Sequence, residues 1–269
     1  MPGSGVWLYA VSSRLVSEAG LAGTTGVDAE RLRTVERDGL VAVVGSVDLD
    51  EFGEAPLRRK LDHLETLEAI ARAHHAVVDA AARLAPVVPI RLATVYRGDD
   101  GIADLLAQRH DELTTALERI SGRFEWGVKA YAAPASPAEP DAEATSDAGP
   151  GTAYLLRRRT QLETLDRARQ TAVDSAEHVH ARLSEIAVAS RRHAPQDAQL
   201  TGTPEWMVLN GAYLVDVTRA DEFAHAVDSL KAAQPTVRLE LTGPWPPYSF
   251  TAGEPAEADD AAQEAEART

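Results

Sequence analysis

Apolar positions in the first half of the chain come in two rhythms. "VWLYAV" (6–11) and "GLVAVVGSV" (39–47) are short, β-branched runs bounded by glycine, and they read as strands of a buried sheet. From Leu57 the period changes: Leu57, Leu61, Leu64, Leu67, Ile70, Val77, Ala81 and Leu84 recur at three and four residues, one face of a single long helix that Pro86 ends. "PVVPIRLATVY" (86–96) is expected to be extended, its prolines suiting an edge or short strand. Asp99 or Asp100 is then placed to cap a helix through Ile102, Leu105, Leu106, Leu113, Leu117 and Ile120, closed by Gly122.

The second half repeats the contrast. "RFEWGVKAYA" (123–132) sets Phe124, Trp126, Val128 and Ala130 on one face of a strand. Residues 152 to about 192 carry a helical stripe of Leu155, Leu162, Leu165, Ala172, Ala176, Val179, Leu183 and Ile186. In "EWMVLNGAYLVDV" (205–217), Asn210-Gly211 between two apolar runs is the strongest hairpin signal, because that dipeptide favours the positive φ of a type I′ turn. A short helix with Phe223, Ala224, Val227 and Leu230 and a last strand, "TVRLELTG" (236–243), complete the order βαββαβ. The fold class expected is α+β in two domains. Residues 1–121 are expected to form the first, and residues 122–250 a ferredoxin-like second with a long first helix.

Two stretches carry almost no large apolar residue. "APASPAEPDAEATSDAGPG" (133–151) and the tail 251–269 are rich in Pro, Ala and acids, and both are expected to be disordered. They hold −4 and −5 of the net charge of −15, so the rest of the chain carries only −6, an ordinary solubilising charge that opposes nucleic-acid binding. No run approaches the roughly 18–20 apolar residues of a membrane span, and the N-terminus lacks a signal-peptide pattern, so a soluble cytoplasmic protein is expected. With no cysteine, thiol nucleophiles, disulfides and cysteine-based metal sites are excluded.

Candidate chemistry is thin. "GSG" (3–5) lacks the preceding strand of a dinucleotide loop. His74-His75 and His178 with His180 have the wrong spacing to chelate one ion from a helix, and they read as solvent-facing or rim residues. Arg157, Arg158 and Arg159 read first as a solvated helix face and second as a partner contact. Phe124 and Trp126 suit core packing, since the basic–aromatic signature of an RNA-recognition sheet is missing. No triad, nucleophile elbow or paired-carboxylate pattern can be assembled, which does not exclude an enzyme but shifts the reading toward a binding or assembly role, with no cofactor or metal expected.

"PVVPIRLATVY", a helix and "FEWGVKAYA" together resemble a sequence block of the gas vesicle GvpL/GvpF family, and "LNGAYLVD … LTGPWPPYSF" resembles its C-terminal signature. Ile90, Leu92 and Ala93 stand where members commonly carry a Phe and a Gly. The resemblance implies a non-enzymatic accessory or minor structural protein of gas vesicle assembly, whose second domain is a modified form of the ferredoxin-like fold. It would bind the small hydrophobic shell protein and other accessory proteins, and it would be associated with gas vesicles in the cytoplasm. Trp245 and Tyr248 are the candidate docking residues, with Arg157, Arg158 and Arg159 as a polar rim. The alternative for Trp245 is interior packing. The alternative for the whole chain is a small-ligand regulatory module built on the βαββαβ unit, which a ligand-induced melting shift would reveal.

Overall fold

The computed structural model describes residues 3–13, 16–132, 150–195 and 206–251. The Pro-rich stretch and the tail, expected to be disordered, lie outside them except at their margins. Contacts divide the chain into two compact units, one built from residues up to Glu125 together with the segment from Pro244 onward, the other from residues 126–243. Each contains one antiparallel sheet and its helices.

In the first unit, β1 (Ser4–Ser12) lies between β3 (Leu40–Asp48) and two short strands, β4 (Val87–Pro89) and β5 (Val95–Tyr96), while β2 (Leu32–Arg37) pairs with the far side of β3. The register of β1 slips between Leu8 and Ala10, which makes Tyr9 the extra residue of a bulge. β2 and β3 are joined by Asp38-Gly39, both at positive φ (51° and 80°), the backbone a two-residue hairpin loop demands. Helices α1 (Leu49–Phe52), α2 (Glu54–Leu61) and α3 (Leu64–Leu84) bury Phe52, Leu57, Ile70, Val77, Val78 and Ala81 in one cluster with Trp7, Tyr9, Val43 and Val47. Two further helices, α4 (Asp99–Gln108) and α5 (His110–Ile120), pack against β2, β3 and β4.

Several expectations are corrected here. The stripe expected to form one helix from Leu57 to Leu84 is broken at Asp62-His63, where His63 turns extended ahead of α3 and leaves Leu64 exposed. The next helix is two, separated at Arg109. Its N-cap is Gly98; Asp99 and Asp100 sit one step later, where their negative charge is favourable beside the positive end of the helix dipole, and Asp99 takes a fork from Arg33 at 2.9 and 2.6 Å.

Ala93 stands at φ +67°, left-handed backbone that disfavours any residue with a Cβ. Ala93→Gly is expected to raise stability by about 0.5 kcal/mol, the strain relieved less the extra freedom of glycine in the unfolded chain; urea denaturation measures it.

The second unit runs from β6 (Arg123–Ala132) through α6 (Pro150–Ser184), β7 (Ala189–Arg192), β8 (Met207–Asp216) and α7 (Ala220–Ala233) to β9 (Val237–Trp245), in sheet order β7-β8-β6-β9. Its core gathers Val128, Ala130, Ala172, Ala176, Val179, Leu183, Leu209, Tyr213, Phe223, Val227 and Leu239.

Asn210-Gly211 is not a turn but the middle of β8. Gly211 pairs with Arg192, the Asn210 carbonyl accepts from the His193 N–H at 2.8 Å, and the Asn210 side-chain amide donates to the Ala194 carbonyl. Glycine is needed there for a different reason: a Cβ would lie 2.8 Å from the Tyr213 ring, which covers it. The helix expected to reach residue 192 ends at Ser184. Val188 donates to the Leu214 carbonyl at 2.8 Å and residues 189–192 join the sheet, so ladder pairing wins over helix propensity.

Candidate functional site

The feature that gathers candidate residues is the arm from Pro244 onward, which belongs to the first unit. The last strand, expected to end at Gly243, runs through Gly243 at φ +113° and Pro244 to Trp245, and Pro246 and Pro247, which have no N–H to donate to a ladder, follow it. The chain then closes a short 3-10 turn, Tyr248–Phe250, in which Tyr248 N–H donates to the Pro246 carbonyl at 2.9 Å and Phe250 N–H to that of Pro247 at 3.2 Å.

Two anchors fix this turn. Glu125 accepts from the Ser249 N–H with one carboxylate oxygen and from the Ser249 hydroxyl with the other, both at 2.7 Å. Phe250 is buried beside Asp111, Thr115, Ala116 and Arg119 of α5, where the surface forms a groove of about 260 Å³. Pro246 and Pro247 are buried as well.

What the anchors hold in place is a pair of aromatic rings over His75 of α3. Trp245 meets the imidazole edge-on at 5.4 Å between centroids, and Tyr248 stacks on it at 6.1 Å and 29°. Trp245 keeps 44% of its surface exposed and Tyr248 37%. The phenol is held protonated, its pKa raised by burial of the hydroxyl and then by the Asp79 and Glu125 carboxylates. The site presents two aromatic rings around an imidazole and is suited to apolar contact.

His74, the neighbour of His75, points the opposite way and is buried, contrary to its expected place at the rim. Consecutive helix positions diverge by about 100°, so His74 can face the core while His75 faces the arm. Nδ1 of His74 accepts from the Trp7 indole N–H at 3.0 Å, and its Nε2–H donates to the Ile90 carbonyl at 3.0 Å. Burial pushes its pKa down to about 4, so it is neutral at pH 7. Nearby, the Tyr9 hydroxyl donates to Glu30 and accepts from the Val27 N–H at 2.9 Å.

The arginine cluster belongs to the other unit. Arg158 and Arg159 are exposed on α6, with Arg159 Nε on Glu163 at 2.8 Å; the Arg157 side chain lies outside the described residues. Among the described residues no three His, Asp or Glu side chains gather as a metal site, and no helix is long and apolar enough to cross a membrane.

The family model described as gas vesicle synthesis protein GvpL/GvpF matches residues 5–252. The chain belongs to the GvpL/GvpF family. It is 44% identical over 230 residues to Gas vesicle protein L of Streptomyces sp. (strain CB03234), covering 85% of this chain and 86% of that one. It is 29% identical over 266 residues to Gas vesicle protein L2 of Halobacterium salinarum, with 91% of each chain covered. In fold it is similar to the crystal structure of GvpF from Anabaena sp. PCC7120, with a TM-score of 0.65 at 17% identity over 94% of this chain and 98% of that one. GvpF from Microcystis aeruginosa gives 0.63 at 16% over 93% and 99%. Two of the stretches that resemble the family, "FEWGVKAYA" and "LTGPWPPYSF", lie more than a hundred residues apart in sequence, and the Glu125–Ser249 pair joins one to the other.

Proposed function

We propose that this protein is an accessory or minor structural component of gas vesicle assembly, associated with the vesicles, whose C-terminal arm docks the hydrophobic shell protein and through which other accessory proteins are brought to it. The observation that carries the reading is the Trp245–His75–Tyr248 cluster, two large rings left half-exposed on a segment that Glu125 and Phe250 hold rigid. A preordered aromatic loses little side-chain entropy when a partner covers it, which is why Trp and Tyr dominate interface anchors. Names of the relatives, gas vesicle proteins L and L2, support the same pathway.

The reading includes two α+β domains, the second ferredoxin-like. Chain order βαββαβ and a sheet in which the unit's first strand, β6, lies between its third, β8, and its last, β9, support it. The test is co-expression of the tagged full-length protein with the shell protein, followed by affinity capture. Retention of the shell protein on the tagged chain is the expected result, and failure to retain it where an accessory partner is retained would overturn the docking role.

A further inference from the structure

Among the described side chains of helix α6, only those in its C-terminal part are packed. Ala172, Ala176, Val179 and Leu183 are buried in the core of the second unit, whereas every side chain from Arg158 to Thr171 is exposed, a span of about 21 Å at 1.5 Å per residue. Going back by threes and fours along the buried face reaches Ala168, Leu165 and Leu162, so the stripe that holds the helix to its sheet continues past it into solvent. Leu162 and Leu165 are 49% and 39% exposed. Three threonines, Thr160, Thr164 and Thr171, weaken the segment's intrinsic helicity, and a free helix of this length is marginal without packing.

Charge beside the stripe has one dominant sign. Arg158 lies one turn before Leu162 and Arg169 one turn after Leu165. Of the two carboxylates in the segment, Glu163 is turned about 100° from Leu162 and pairs with Arg159 at 2.8 Å, and Asp166 lies 3.8 Å from Arg169 in an exposed pair. Four arginines against two acids leave the segment at +2 on a chain of −15.

We propose that this exposed segment of α6 is a docking site for an acidic amphipathic helix of another protein, with large apolar residues against Leu162 and Leu165 and carboxylates against Arg158 and Arg169. A second copy of the chain fits poorly. Antiparallel pairing that sets Leu162 on Leu165 also sets Arg158 on Arg169, and parallel pairing sets each arginine on itself. The chain's own acidic tail, 252–269, contains no Val, Ile, Leu, Met or aromatic residue to cover the leucines.

The experiment uses the full-length protein and two labelled helical peptides of about 20 residues, both with a leucine stripe, one flanked by Glu and the other by Lys, followed by fluorescence anisotropy. The Glu peptide should bind about tenfold or more tightly than the Lys peptide. A Leu162→Gln/Leu165→Gln variant, with unchanged circular dichroism and melting, should lose that binding, and Arg158→Glu/Arg169→Glu should reverse the preference. Trp245→Ala should leave it intact, which separates this site from the arm. Equal binding of both peptides, or binding indifferent to both double variants, overturns the proposal. So does a concentration-dependent dimer abolished by the leucine variant, or a tail-truncated chain that binds the Glu peptide about tenfold more tightly.

Discussion

Replacing His74 by alanine is expected to destabilise the first unit by about 3 kcal/mol, since it leaves one buried and one part-buried polar partner unmet, the buried one at about 1–3 kcal/mol, and opens a cavity. The orphaned groups are the Trp7 indole N–H and the Ile90 carbonyl, at the centre of a cluster in which Trp7 also meets Phe52 edge-on at 5.9 Å. Urea denaturation gives the number, and a loss below about 1 kcal/mol would show that the imidazole is not an obligatory core hydrogen-bonding group. The same residue sets a pH dependence. His74 titrates near 4 when folded and near 6.5 when unfolded. As pH falls below about 6.5 the unfolded chain gains a proton that the folded chain refuses, so stability present above that pH is lost progressively down to about 4, by about 3 kcal/mol in all. His180, lowered by burial and by Arg192, acts in the same direction. In His74→Ala the slope over this window should flatten markedly.

Phe250→Ala is the second large effect, about 3 kcal/mol for removing a fully buried ring. The loss should be local as well as global. With Phe250 gone, the arm keeps the Glu125–Ser249 hydrogen bonds and the ring contacts to His75, and the latter are worth only about 0.5–1.5 kcal/mol each. Amide exchange at Tyr248 and at position 250 should therefore accelerate more than exchange in β1 or β3. Uniform acceleration across the unit would indicate that the arm is inseparable from the core.

Much of this architecture was legible in the residues. The strands "VWLYAV" and "GLVAVVGSV" follow from periodicity alone, whereas in the second half the βαββαβ count is filled by other segments than expected, residues 189–192 supplying a strand and 207–216 forming one strand where two were expected. What failed did so for tertiary reasons. Asn210-Gly211 and Asp38-Gly39 are both hairpin dipeptides by composition; the second makes the turn, while the first is drawn into a strand because Tyr213 needs a bare Cα beneath its ring. The signal for the true hairpin was present in "TVERDGLVAVV", flanked on both sides by β-branched residues. Helix breaks at Asp62-His63 and Arg109 carry no proline or glycine, so only packing reveals them. The site was half-visible: Trp245 and Tyr248 stood out by residue type, whereas Glu125, Ser249 and His75 became partners only once segments distant in sequence met.

The most direct test of the docking role is capture of the shell protein by a Trp245→Ala/Tyr248→Ala variant beside the unaltered protein, with both unfolding transitions recorded. Because both rings are half-exposed, the variant should keep its fold within about 1–2 kcal/mol while retaining about tenfold less shell protein or worse. Undiminished capture by a folded variant would contradict the account.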